Sequence, residues 1–162
     1  MKRKCESNTA TLSQREMNSV EAVGQEEVRT PGLVRTLIAD DCPFGLKTVA
    51  LILELEARFD LVGTASDGRQ AVRKAFELRP ELVLLDYRTP GLDGIQATRC
   101  IKGFKYPPLV VLVTSDNTPD CRARAKAAGA DGFVDKGGDL QWQLHGTFHE
   151  LPGARLSQSK PL

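Results

Sequence analysis

From Leu33 onward, short apolar runs alternate with stretches in which apolar residues recur at helical spacing, and the alternation repeats five times. The predicted strands are Val34 to Ala39, Leu61 to Ser66, Leu82 to Asp86, Leu109 to Thr114 and Gly132 to Asp135. The middle runs, Leu82-Val83-Leu84-Leu85 and Leu109-Val110-Val111-Leu112-Val113, are continuously apolar, as a strand covered on both faces must be. Strands that alternate with helices in this way predict an α/β protein with a doubly wound parallel sheet.

Between the strands, Leu46, Val49, Ala50, Leu53 and Ala57 form one apolar stripe, which predicts a first helix. Val72, Ala75 and Phe76 repeat the pattern in a second, which Pro80 stops. Leu92 to Gly103 supplies the third, with Asp93 as its N-cap. Thr118-Pro119 provides a cap and a first-turn proline for the fourth, which ends at Ala128-Gly129. Gly138-Asp139 opens the fifth, whose Leu140, Leu144, Phe148 and Leu151 make a face for the sheet, and Pro152-Gly153 ends it.

The flanks read differently. Residues 1 to 31 are polar and lack a sustained apolar period, so they predict a flexible N-terminal extension; residues 152 to 162 predict a short flexible C-terminal tail. A chain of 162 residues with a net charge of +1 is sized for one domain at 32 to 151, and no second effector domain is expected to fit easily. Hydrophobic residues at 41% and charged residues at 27% fit a globular protein with a real core. Met1-Lys2-Arg3-Lys4 is followed by polar residues rather than an apolar signal core, and no run is long enough to span a membrane, so the expected location is the cytoplasm. Cys5, Cys42, Cys100 and Cys121 are widely spaced, with no zinc-type pairing, and are expected as reduced thiols.

Chemistry concentrates at the ends of the strands. Asp40 and Asp41 follow the first, Asp86 closes the third, Thr114 closes the fourth and Lys136 follows the fifth. Open parallel sheets bind ligands at the C-terminal ends of their strands, so these five residues converge. Three carboxylates there repel one another, and a hard cation with oxygen ligands neutralises them. Magnesium together with a phosphoryl group is the expectation.

The order of these residues, together with Asp86-Tyr87-Arg88-Thr89-Pro90-Gly91-Leu92-Asp93-Gly94 in the pattern D-x-x-x-P-x-x-D-G, resembles the receiver domain of two-component response regulators over Leu33 to Leu151. The resemblance implies a flavodoxin-like sheet of order 2-1-3-4-5 with five helices. It implies a single-domain phospho-accepting regulator whose Asp86 is the nucleophile and takes a phosphoryl group from a histidine kinase or a histidine phosphotransfer protein. Asp41 and Asp86 would bind Mg2+ directly, Asp40 through water and Arg88 through its main-chain carbonyl. Lys136 and Thr114 would contact the phosphoryl group, and Thr114 and Phe133 would form the switch. Output would come from binding a downstream protein target near the fourth helix, fifth strand and fifth helix, with a homodimer possible and no direct contact with DNA or membrane. The chain would not be an enzyme beyond self-catalysed phosphotransfer and autodephosphorylation.

Some positions depart from that pattern. Thr89 stands where receivers usually carry Met, and Gly137-Gly138 follows Lys136 where many carry proline, which predicts a more flexible loop. Arg88 and Asp116 flank the route of water to an acyl phosphate; either they pair and screen it, or they are exposed loop charges. Arg122, Arg124 and Lys126 read as a solvated face, and His145 and His149 as solvent- or partner-facing. Trp142 reads as packing or interface. Two alternatives stay open: a docking module that works without phosphorylation, and an aspartate-nucleophile phosphatase of the haloacid dehalogenase type. The second lacks its usual acid, since Arg88 occupies that position and cannot protonate a leaving group at neutral pH.

Overall fold

The structure is a computed structural model that describes residues 32–150. The expectations for the two flanks, including Leu151 and the Pro152-Gly153 stop, lie outside the described residues. The strands are β1 (Val34–Ala39), β2 (Phe59–Ala65), β3 (Leu82–Asp86), β4 (Leu109–Thr114) and β5 (Gly132–Asp135). They form one parallel sheet in the order β2-β1-β3-β4-β5. Helices α1 (Pro43–Leu55), α2 (Gly68–Leu78), α3 (Gly94–Lys102), α4 (Pro119–Ala127) and α5 (Leu140–Glu150) connect or follow the strands.

Successive strand residues point to opposite faces, so the sheet divides the core in two. Leu37, Val83, Leu85, Val110 and Leu112 face α2, α3 and α4. Ile38, Leu82, Leu84, Val111, Val113 and Val134 face α1 and α5, whose Leu53, Leu144 and Phe148 close that layer. Most of these side chains are fully buried, each contributing about 1.5–3 kcal/mol against exposure. Among the described residues no helix is long and apolar enough to cross a membrane.

The helix boundaries follow local chemistry. Asp67 caps α2 by accepting from the Gln70 N–H at 2.8 Å. Asp93 and Gln96 form a capping box on α3, and Thr118 caps α4 ahead of Pro119. The Asp139 carboxylate accepts from the Trp142 N–H at 2.9 Å at the start of α5.

Three sequence expectations need correction. β2 begins at Phe59 rather than Leu61 and ends at Ala65, because Phe59 is buried with its ring 4.5 Å from that of Phe148; the flanking Arg58 and Asp60 hide this from the hydropathy pattern. Ala57 lies beyond the end of α1 and is exposed. Phe76 is 68% exposed, since α2 turns Gly68, Ala71 and Ala75 to the sheet, and its ring instead meets Phe104 edge-on at 5.8 Å.

Thr89, Gly91 and Gly94 shape the turn from β3 to α3. The Thr89 hydroxyl donates to the Leu92 carbonyl at 2.6 Å, which gives threonine a structural use here. Gly91 has φ +73°, and a Cβ on Gly94 would collide with the Asp86 carbonyl and come within 2.8 Å of the Tyr87 Cα. The backbone of the β3 end therefore requires glycine at 94. Gly94→Ala is expected to lower stability by roughly 1–3 kcal/mol, whereas Gly146→Ala on α5, where nothing lies within 4 Å, should raise it by about 0.5–1 kcal/mol. Chemical denaturation of the two variants checks both signs.

Candidate functional site

Each site residue is placed by the end of a strand. β1 delivers Asp40 and Asp41, β3 ends in Asp86, β4 ends in Thr114 and β5 is followed by Lys136. All five meet at the C-terminal edge of the sheet, as their positions in the sequence predict. Oxygens of Asp40, Asp41 and Asp86 lie within 4.8 Å of one another. Lys136 reaches in from the opposite side: its Nζ is 2.6 Å from Asp40 Oδ2 and 3.2 Å from Asp86 Oδ1.

Asp40 is buried and doubly held. Its Oδ1 accepts from the Cys42 N–H at 2.9 Å while its Oδ2 binds Lys136. Gly45, on the first turn of α1, leaves the space the carboxylate fills, and a Cβ there would overlap Asp40 Oδ2. Asp41, by contrast, is exposed, with its carboxylate at the mouth of the cluster.

Asp86 is 8% exposed, and burial pushes its carboxyl above the ordinary carboxylate range. The Lys136 charge opposes that rise, the Asp40 charge adds to it, and hydrogen bonds from Lys136 and the Arg88 backbone N–H oppose it without reversing it. For Lys136, burial works against its charge. Its bond to Asp40 and the charges of Asp86 and Asp40 outweigh burial and raise its pKa. One ammonium thus faces three carboxylates, leaving an excess of negative charge that suits a hard divalent cation with oxygen ligands. The donor set, all carboxylate oxygen, fits magnesium.

Around this centre, the buried Thr114 hydroxyl accepts from the Asp116 N–H at 3.0 Å. Asp116 also pairs with Arg88 at 3.2 Å, with the Arg88 side chain 75% exposed. Phe133 stands in register with Leu112, two residues before Thr114, and on the same face of the sheet. Arg122 of α4 lies 5.0 Å over its ring and donates through Nε to Asn117. The expectation of a purely solvated α4 face is corrected at Arg122 for this reason, and Arg124 likewise lies 5.9 Å over the Tyr87 ring. Trp142 is 74% exposed and stacked on His145, so it is not a packing residue, and the rings of His145 and His149 are 4.6 Å apart.

The sequence reading passed over Asp135, Asn117 and Gln143. The Asp135 carboxylate accepts from the Gly137 N–H at 2.7 Å and from Asn117 at 2.9 Å, and its N–H donates to Gln143 at 2.9 Å. The Lys136 N–H adds a bond to the Thr114 carbonyl at 2.7 Å. The Lys136 loop is thus tied down by hydrogen bonds in place of proline. Gly138 makes room for the Gln143 amide, since a Cβ would lie 2.5 Å from its Nε2. An acid just before the site lysine was the available signal.

Comparison with known proteins agrees with this geometry. The family pattern of the response regulator receiver domain matches residues 36–144. The probable transcriptional regulatory protein NarL of Mycobacterium tuberculosis is 34% identical over 106 residues, which cover 65% of this chain and 49% of that protein. A protein-glutamate methylesterase/protein-glutamine glutaminase of Symbiobacterium thermophilum is 36% identical over 121 residues, covering 73% and 33%. The chain therefore spans about half or less of the length of these relatives. Among solved structures, the signal receiver domain of Mycobacterium tuberculosis NarL superposes with a TM-score of 0.70 at 30% identity, over 77% of this chain and 98% of that one. On sequence and fold together, the chain belongs to the response regulator receiver domain family.

Proposed function

We propose that Asp86 accepts a phosphoryl group in a magnesium-dependent reaction and that output follows from binding another protein. The observation that carries this reading is the convergence of three carboxylates and one ammonium on the end of the buried β3 strand. An Asp86 carboxylate oxygen attacks the phosphorus of a phosphohistidine in a partner kinase or phosphotransfer protein. The new O–P bond forms as the N–P bond breaks, and the electron pair returns to the imidazole, which takes up a proton. Burial favours the attack, because a carboxylate held above its ordinary pKa is the more basic nucleophile.

Asp41 and Asp86 would hold the magnesium ion, with Asp40 acting through water and the Arg88 main-chain carbonyl as a further ligand. The ion, when bound, would offset charge on the phosphoryl oxygens. Lys136, already between Asp40 and Asp86, supplies the protein's own positive charge to the transferred group. The Thr114 hydroxyl donates to a phosphoryl oxygen, and Phe133, on the same sheet face, repacks with it. Phosphorylation adds about −1.5 to −2 charge units, enough to bias two packings separated by a few kcal/mol. The surface that reads the change is α4, β5 and α5, and the protein acts in the cytoplasm.

With magnesium and acetyl phosphate, intact-mass analysis should show a gain of one phosphoryl group in wild type and none in Asp86→Asn or in EDTA. No gain in wild type would overturn the proposal in favour of a phosphorylation-independent docking module, and donor turnover without an adduct would favour a phosphatase.

The Arg88–Asp116 pair screens the approach of water to the acyl phosphate. An exposed pair of this kind is worth up to about 1 kcal/mol, so Arg88→Ala should speed dephosphorylation by up to roughly fivefold. Decay of the phosphorylated form measures it, and an unchanged rate removes the role.

Acid titration gives a further check. A carboxyl raised in the folded state binds its proton more readily there than in the unfolded chain, so stability falls as pH rises through the window between the two values. In EDTA, Asp86→Asn should therefore unfold at a higher temperature than wild type at pH 7.5. That advantage should shrink as the pH is lowered and vanish once both states are protonated.

A further inference from the structure

Helix α5 carries both histidines of the chain, His145 and His149, one turn apart. Leu144 and Phe148 are fully buried and fix the rotation of the helix, which leaves His145 half-buried and His149 exposed. Residues four apart on a helix lie side by side. Here the two rings are 4.6 Å apart and tilted by 58°, which is not a face-to-face stack. Two imidazoles bound to one ion, with nitrogens about 2.0–2.1 Å from it and roughly 90–110° apart, have ring centroids about 4.5–5.2 Å apart. The observed separation falls in that range.

The surroundings leave the pair open to a ligand. Among the described residues, neither imidazole is engaged in a hydrogen bond or an ion pair; their contacts are with each other and with Trp142. Gly146, three residues before His149 and four after Trp142, is exposed and puts no side chain beside them. His145 also lines a surface cavity with Glu56 and Asp139, whose carboxylates favour a cation. Glu56 pairs with Arg58 through Oε2 at 3.5 Å, and Asp139 accepts from the Trp142 N–H through Oδ1 at 2.9 Å, so each is held in place through one oxygen. Imidazole nitrogen suits zinc, nickel and copper, whereas magnesium is held by oxygen. The histidine pair and the acidic cluster therefore select different ions.

We propose that His145 and His149 form a second metal site, on α5, which takes a divalent transition ion of the zinc class with water completing its coordination. The bound ion ties two successive turns of α5 together and adds positive charge to that helix. The inference is independent of phosphoryl transfer at Asp86, because neither ligand belongs to the acidic cluster.

Trp142 is the one tryptophan of the chain, and its ring stacks on that of His145 with 6.4 Å between centroids and 16° between planes, so its fluorescence reports on the pair. Nickel(II), which is paramagnetic and does not oxidise thiols, is titrated into the full 162-residue chain near neutral pH with excess magnesium present. Wild type should show saturable quenching of Trp142 that excess zinc reverses. His145→Gln and His149→Gln should each weaken nickel binding about tenfold or more, since loss of even a residue that only orients a metal ligand costs about 10–100-fold in affinity. His149→Gln keeps the Trp142–His145 stack, so its loss of quenching reports ligation rather than a changed indole environment. Nickel should also raise the melting temperature of wild type and leave that of His145→Gln/His149→Gln unchanged. No saturable quenching in wild type would overturn the proposal, as would equal quenching in His149→Gln or an equal rise in melting temperature in the double variant. Asp86→Asn should quench as wild type does; loss of quenching there would place the ion in the acidic cluster and overturn the proposal as well.

Discussion

Like charges forced together govern this structure. A parallel sheet brings the ends of β1 and β3 side by side, and those ends carry Asp40, Asp41 and Asp86. The repulsion is contained by Lys136, whose ammonium touches two of the three carboxylates. Each supporting detail holds this arrangement in place: the Cys42 N–H on Asp40, the space left by Gly45, and the capping box and Gly94 that seat α3 against the end of β3. Asp86 is buried as well, and burial raises its carboxyl above the ordinary range. The proposed phosphoacceptor is thus also a source of instability, a common relation between function and folding.

Around that centre the loops form one bonded framework. Asp135 joins the Lys136 loop to Asn117; Asn117 accepts from Arg122, and Arg122 covers Phe133. The acidic edge and the ring on the other side of β5 are thus linked by contiguous polar contacts through the loop that follows β4. The Gly137-Gly138 step belongs to this framework: one glycine donates its N–H to Asp135 and the other clears space for Gln143.

The fold was legible where burial leaves a strong mark. β1, β3, β4 and β5 begin and end where the apolar runs do, and the five converging residues follow from strand ends and order alone. What escaped the sequence depended on tertiary partners. Phe59 is buried against Phe148 from a position flanked by charges, and Phe76 faces out because a small-residue face of α2 docks instead. Arg122 looked like a solvent-facing charge because the ring beneath it comes from another element.

The Lys136–Asp40 contact joins residues 96 positions apart. Lys136 follows the last strand and Asp40 the first, so this contact forms only when β5 has docked at the far edge of the sheet. Such long-range closure comes late in the folding of parallel sheets, after the loop entropy of the whole domain has been overcome. A nascent or partly opened chain that holds β1 and β3 but not β5 presents its acids without their lysine. The proposed phosphoacceptor centre therefore gains its lysine only on completion of the fold.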